Sequence, residues 1–227
     1  MTGLTVDHLV AMRIHGVTPA FAEELKAQGV ANLSGDQLIA FRIHGVTSEY
    51  IHELKDAGHE SAKADSLLAF KIHGVTPAFV QQMKDIGFRN LSGGQLTAFR
   101  IHGVTPLFVQ TMRSFVRGEL SPDDLTGLRI HGVTPEMVKE LEILGQRNLT
   151  AIQLMAFKIH GVTPDFIKAI LGSGYDRLTP DQLIELRIAR VTPEFIQLVK
   201  DRGFTDVTLH QLVELRRLNM LPSAKKN

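Results

Sequence analysis

The sequence predicts an all-α fold, an α-solenoid of 29-residue helix-hairpin repeats, and three observations carry that prediction. The string RIHGVTP at Arg13 to Pro19 returns in close copies at Arg42, Lys71, Arg100, Arg129 and Lys158, always 29 residues further on. Each copy holds two sets of helix start and stop signals. One of the two helices is apolar on opposed faces, so it must be sandwiched between neighbours. Seven repeats run without insertion from Gly3 to about Gly203, and the first half of an eighth follows. The expected molecule is seven helix pairs plus a final capping helix, with no strands and with either hand of superhelix open.

The first helix of each repeat, helix A, starts after a residue such as Ser34, whose hydroxyl can accept a backbone N–H, with Gln37 completing a capping box. It stops at Gly45, a residue free to turn left-handed. The second, helix B, starts after Thr18 with Pro19 in its first turn, where a missing N–H does no harm, and stops at Gly29. Helix B gathers Phe21, Ala22 and Leu25 on one arc, an ordinary amphipathic pattern. Helix A sets Leu38 and Phe41 against Ile39, Ala40 and Ile43 on the other side. The Phe41, Phe70, Phe99 and Phe157 column is at core spacing.

Departures from the pattern carry their own expectations. Val116 stands where Gly29, Gly58 and Gly87 stand elsewhere, with Gly118 two residues on, so the fourth helix B should run longer. Lys63 replaces the capping serine, which weakens that helix start by about 1 kcal/mol unless Asp65 takes over. In the last helix A, Glu214 and Arg217 occupy the alanine and isoleucine columns, a polar face fit for a terminal cap. At the amino end no such change is visible, and a partner, a second copy or further sequence could cover it. One repeat domain is expected over 1–220, with repeats starting near 3, 32, 61, 90, 119, 148, 177 and 206, and a tail over 221–227.

At 227 residues and 44% hydrophobic content the chain is far too apolar for disorder. A net charge of +1 gives no bulk attraction to nucleic acid or anionic membrane, and the lack of cysteine excludes disulfides and thiolate chemistry. No segment approaches the apolar length of a membrane span and no signal peptide is visible, so the expectation is a soluble chain.

Two columns stand out. His15, His44, His73, His102, His131 and His160 each precede the glycine that ends helix A. Stacked helices lie about 8–10 Å apart, too far for neighbouring imidazoles to share a zinc at about 2.1 Å each, so no metal site is expected. An active site needs different groups converging once, and a column supplies one group repeatedly, so no catalytic residue is expected either. The remaining reading is structural: each imidazole meets carbonyls freed at a helix end or bonds across to the next repeat. The seventh place changes to Ala189-Arg190, where the stack is ending. The basic column, Arg13, Arg42, Lys71, Arg100, Arg129, Lys158, Arg187 and Arg216, suits helix C-termini electrostatically, or forms a stripe that meets an acidic partner.

The RIHGVTP copies, followed by F-x-x-x-L-K-x-x-G-F, resemble a bacterial repeat found in C-terminal extensions of beta-lactamase regulatory sensor-type membrane metallopeptidases and in related envelope proteins. The resemblance spans essentially the whole chain but concerns the repeat region alone. The peptidase's His-Glu-x-x-His is absent, and HELKD from His52 lacks the second histidine. What it implies is an accessory helical module, in the bacterial cytoplasm or periplasm. HGVTPAFVQQMKDIGFRNLSGGQL is also similar in outline to the helix-hairpin-helix motif, whose G-x-G turn offers amides to a DNA phosphate. Here Gly74-Val75-Thr76-Pro77 has threonine for the second glycine and a proline without an amide. The expected function is therefore a non-enzymatic, cofactor-free scaffold that binds a protein or itself, and the alternative is a DNA-binding array of helix-hairpin-helix-like units.

Overall fold

Fifteen helices and no strand account for the described residues, which in this computed structural model are 5–59 and 63–220. The expected repeat starts near 3 and 61 and the tail at 221–227 lie outside them. In chain order the A/B pairs are α1 (Val6–Ile14) with α2 (Pro19–Ala27), α3 (Gly35–His44) with α4 (Ser48–Asp56), and α5 (Ala64–His73) with α6 (Pro77–Asp85). They continue as α7 (Gly93–His102) with α8 (Pro106–Phe115), α9 (Pro122–Ile130) with α10 (Pro135–Ile143), and α11 (Ala151–His160) with α12 (Pro164–Gly172). The last pair is α13 (Pro180–Ile188) with α14 (Pro193–Asp201), and α15 (Leu209–Arg217) stands alone. Helix α8 has 10 residues where the preceding B helix α6 has 9, in keeping with its displaced glycine.

Capping chemistry fixes these boundaries. Ser34 and Gln37 form the reciprocal capping box of α3, and the same box opens α7, α11, α13 and α15. Thr18 accepts the Phe21 N–H at the start of α2. Lys63 supplies no side-chain cap to α5, and Asp65 instead accepts a hydrogen bond at 3.2 Å from Gln37 of the preceding repeat. At the end of α3, Gly45 turns left-handed at φ +70°, and Val46 then returns its N–H to the Phe41 carbonyl at 2.8 Å. That turn drives the valine inward, and Val46, Val75, Val104, Val133, Val162 and Val191 are all buried.

The chain divides within α8 into two compact halves, Met1–Leu107 and Phe108–Asn227. In the first, α1, α3, α5 and α7 pack each on the next, and α2, α4 and α6 form a parallel row. In the second, α9, α11, α13 and α15 stack in the same way, with α10 on α12. Phe41, Phe70, Phe99 and Phe157 lose all exposure, as their spacing predicts. The other side of helix A is less enclosed than its composition suggests. Ile39 and Ala40 are half-buried against neighbouring repeats, whereas Ile43 keeps 54% of its surface in water.

Tyr50 of α4 joins two repeats from within the core, its hydroxyl donating to the Val75 carbonyl at 2.6 Å. Burial pushes its ionisation well above the usual phenol range. Replacing Tyr50 by phenylalanine should leave that carbonyl without its donor and lower unfolding free energy by about 1 kcal/mol in urea titration.

Candidate functional site

A helix ends with carbonyls that have no partner in their own ladder. In this chain the next repeat supplies the donor. Arg42 donates from Nε to the Gly16 carbonyl at 2.9 Å, and its guanidinium lies 4.5 Å from the centre of the Phe21 ring. Arg187 reaches the His160 carbonyl at 3.4 Å and stacks 4.8 Å from Phe166. Arg216 reaches the Arg190 carbonyl at 3.2 Å and stacks 5.1 Å from Phe195. Lys71 over Tyr50, Arg100 over Phe79 and Arg129 over Phe108 repeat the cation–ring half of the arrangement, at 3.9, 5.1 and 4.9 Å. Lys158 follows the one repeat with Met137 in place of the ring, and it lies beside Gly132.

The basic column thus ties repeats together, and six of its members, Arg42, Lys71, Arg100, Arg129, Arg187 and Arg216, lie over a ring. Arg13 has no repeat ahead of it among the described residues. The histidines lie elsewhere. His15, His44, His73, His131 and His160 are exposed, and His102 is half-buried. The helix-end carbonyls of Gly16, His160 and Arg190 are met by the arginine of the next repeat. The seventh repeat makes the point independently, because Ala189 stands in the histidine place and the Arg216 tie is still made. The arginine's long stem suits it to span the roughly 8–10 Å that typically separates packed helices.

Helix B carries a shorter version of the same device. Lys55 donates to the Gln28 carbonyl at 2.8 Å and Lys200 to the Ser173 carbonyl at 2.7 Å, each capping the B helix before it. At the helix A starts, the N3 side chain of one repeat meets the N2 carboxylate of the next, as with His8 and Asp36 at 3.2 Å. The final helix departs from its expected role. Arg217 turns back to Glu185 of the preceding repeat at 3.3 Å and to Glu214 at 3.1 Å, so of the two polar replacements only Glu214 lies on the open side.

Among the described residues no group of three His, Cys, Asp or Glu side chains could hold a metal ion, and no helix is long and apolar enough to cross a membrane. A cleft of about 350 Å³ beside α10 presents Glu136, Glu140 and Lys158 around glycine and proline backbone, and the Thr134 hydroxyl there caps α10 and hydrogen-bonds to Glu136. The hairpin turns are poor phosphate cradles. In the third repeat the Gly74 and Val75 amides are committed to the Lys71 and Phe70 carbonyls at 3.3 and 2.8 Å, and Pro77 has none.

Two outcomes follow from this geometry. Arg42→Ala should destabilise by about 1 kcal/mol and His44→Ala by less than about 0.5 kcal/mol, with Arg42 and Phe21→Leu coupled in a double-mutant cycle. The second concerns His59, whose ring stacks 5.2 Å from Phe70. Burial, then the Lys84 ammonium, holds its pKa below the ordinary 6.5. Folding therefore favours the neutral ring, and the contribution is present above pH 6.5 and lost as pH falls through the folded value. Thermal melts of His59→Phe should lose less stability than wild type between pH 7 and 5. No family model, no curated protein and no solved structure matches the chain.

Proposed function

We propose that this chain is a non-enzymatic helical-repeat scaffold that engages a protein partner through the exposed face of its A helices. The observation that supports this is one isoleucine per helix, at the same position each time. Ile14, Ile43, Ile72 and Ile101 lie in the first half and Ile130, Ile159 and Ile188 in the second, none less than 51% exposed. Single exposed aliphatics are ordinary on any protein; the same one repeated at every step is a patterned surface. Carboxylates such as Asp36 and Asp65 sit at the helix starts, and basic and histidine side chains at the helix ends. An apolar stripe between two polar rims is the anatomy of a protein interface.

Catalysis has less support. The columns repeat one group at each step, whereas a reaction centre gathers different groups at one place. In the basic column, which would be the natural contact for a nucleic-acid backbone, Arg42, Lys71, Arg100, Arg129, Arg187 and Arg216 each lie over a ring of the repeat before. The likeness of the repeat to that of the envelope metallopeptidases fits an accessory binding module in a bacterial cytoplasm or periplasm.

The double variant Ile43→Glu with Ile72→Glu should keep its helical circular dichroism and reduce recovery of a cross-linked partner from bacterial extract by at least about tenfold. Unchanged recovery would contradict the proposal, and DNA binding that falls steeply with salt would favour the helix-hairpin-helix alternative.

A further inference from the structure

The joint between repeats is directional, and its two sides can be read at any internal step. The forward side offers a C-terminal carbonyl, an N3 side chain and a hollow. The backward side offers an arginine or lysine, an N2 carboxylate and an apolar row. In the first half, Gly16 O accepts from Arg42, and Gln37 donates to Asp65. The leucine column lies at the centre: Leu38, Leu67 and Leu96 are at most 2% exposed.

Helix α1 presents the backward side with nothing described ahead of it. Leu9, in the same column, is 55% exposed, and Val6, Val10 and Ile14 beside it are exposed too. Asp7 and Arg13 stand in the N2 carboxylate and basic positions. Helix α15 presents the forward side. Gln211 is its N3 residue, and Asn219 turns left-handed at φ +51° in the place of the internal glycines, with its carbonyl at the end of the helix. Between them lies a hollow of about 380 Å³ lined by Phe204, Val207, Leu215 and Leu218, with Gln211 and the carboxylates of Asp206 and Glu214. Arg217 faces back to Glu185, so this side keeps an apolar floor with two carboxylates, Asp206 and Glu214, and no cation among its lining residues.

We propose that copies of this chain associate head to tail, helix α1 of one copy seating on helix α15 of another as each repeat seats on the one before it. Leu9 and Val10 enter the hollow, Arg13 donates to the Asn219 carbonyl, and Gln211 donates to Asp7. Glu214 meets the incoming arginine's charge. The joint continues the helix A half of an interface that the chain already makes internally, with Asp7, Leu9 and Arg13 on one side matched by Gln211, the hollow and the Asn219 carbonyl on the other. Such a joint is heterologous, so it propagates into a ring or an open chain instead of stopping at a symmetric pair. It rests on the scaffold reading above but uses the helix-stack ends, not the isoleucine face.

Sedimentation of the full chain across the micromolar range tests it. Wild type should grow beyond a monomer with concentration. Leu9→Lys and Leu218→Lys, both at exposed positions, should each remain monomeric with unchanged helical content. An equimolar mixture of the two should form a heterodimer and nothing larger, because one open head and one open tail remain. Ile43→Glu with Ile72→Glu should assemble as wild type does. A wild type that stays monomeric, a blocked variant that assembles normally, or a mixture that gives no heterodimer would overturn the proposal. Assembly abolished by the isoleucine variant alone would overturn it too, while leaving the scaffold reading in place.

Discussion

The stack depends on what happens to the carbonyls at the end of each helix. A short helix of nine or ten residues leaves a large share of its backbone acceptors unpaired, and in a repeat this small those ends recur every half-repeat. The chain answers with a long basic side chain from the following repeat, Arg42 onto Gly16 or Lys55 onto Gln28. The Arg42 cation also lies over the Phe21 ring, which fixes its direction. One contact therefore caps a helix, neutralises part of its dipole and sets the distance to the next repeat.

Much of this was legible in the sequence. The period, the Ser34 and Gln37 box, the left-handed Gly45 and the buried phenylalanine column all follow from residues close together in the chain, where helix periodicity and capping rules apply directly. The tie itself was harder to read because it joins residues 21 positions apart, Phe21 to Arg42 and Phe166 to Arg187. Its trace is present nonetheless: an aromatic residue opens helix B ahead of each basic partner, except Met137, whose partner is Lys158. The histidines drew attention because they recur beside a glycine, but His15, His44, His73, His131 and His160 are exposed.

The exposed isoleucines were misplaced for a related reason. Composition made helix A two-faced, and a two-faced helix was expected to bury both sides. Small residues such as Ala40 let neighbouring helices meet along the middle of that second face, so Ile43, one turn further on, is left outside the contact. An apolar residue that packing does not consume at any step is then available for something else. The candidate surface emerges from the same stacking geometry that builds the core.

The central claim, that each repeat is tied to the one before it by its basic side chain, is tested most directly by nuclear magnetic resonance of the arginine side chains. The Nε–H of Arg42 should show a scalar coupling across the hydrogen bond to the Gly16 carbonyl carbon and should exchange with water more slowly than a free guanidinium. No coupling, with exchange at the rate of free arginine, would mean that the repeats are held by the apolar core alone.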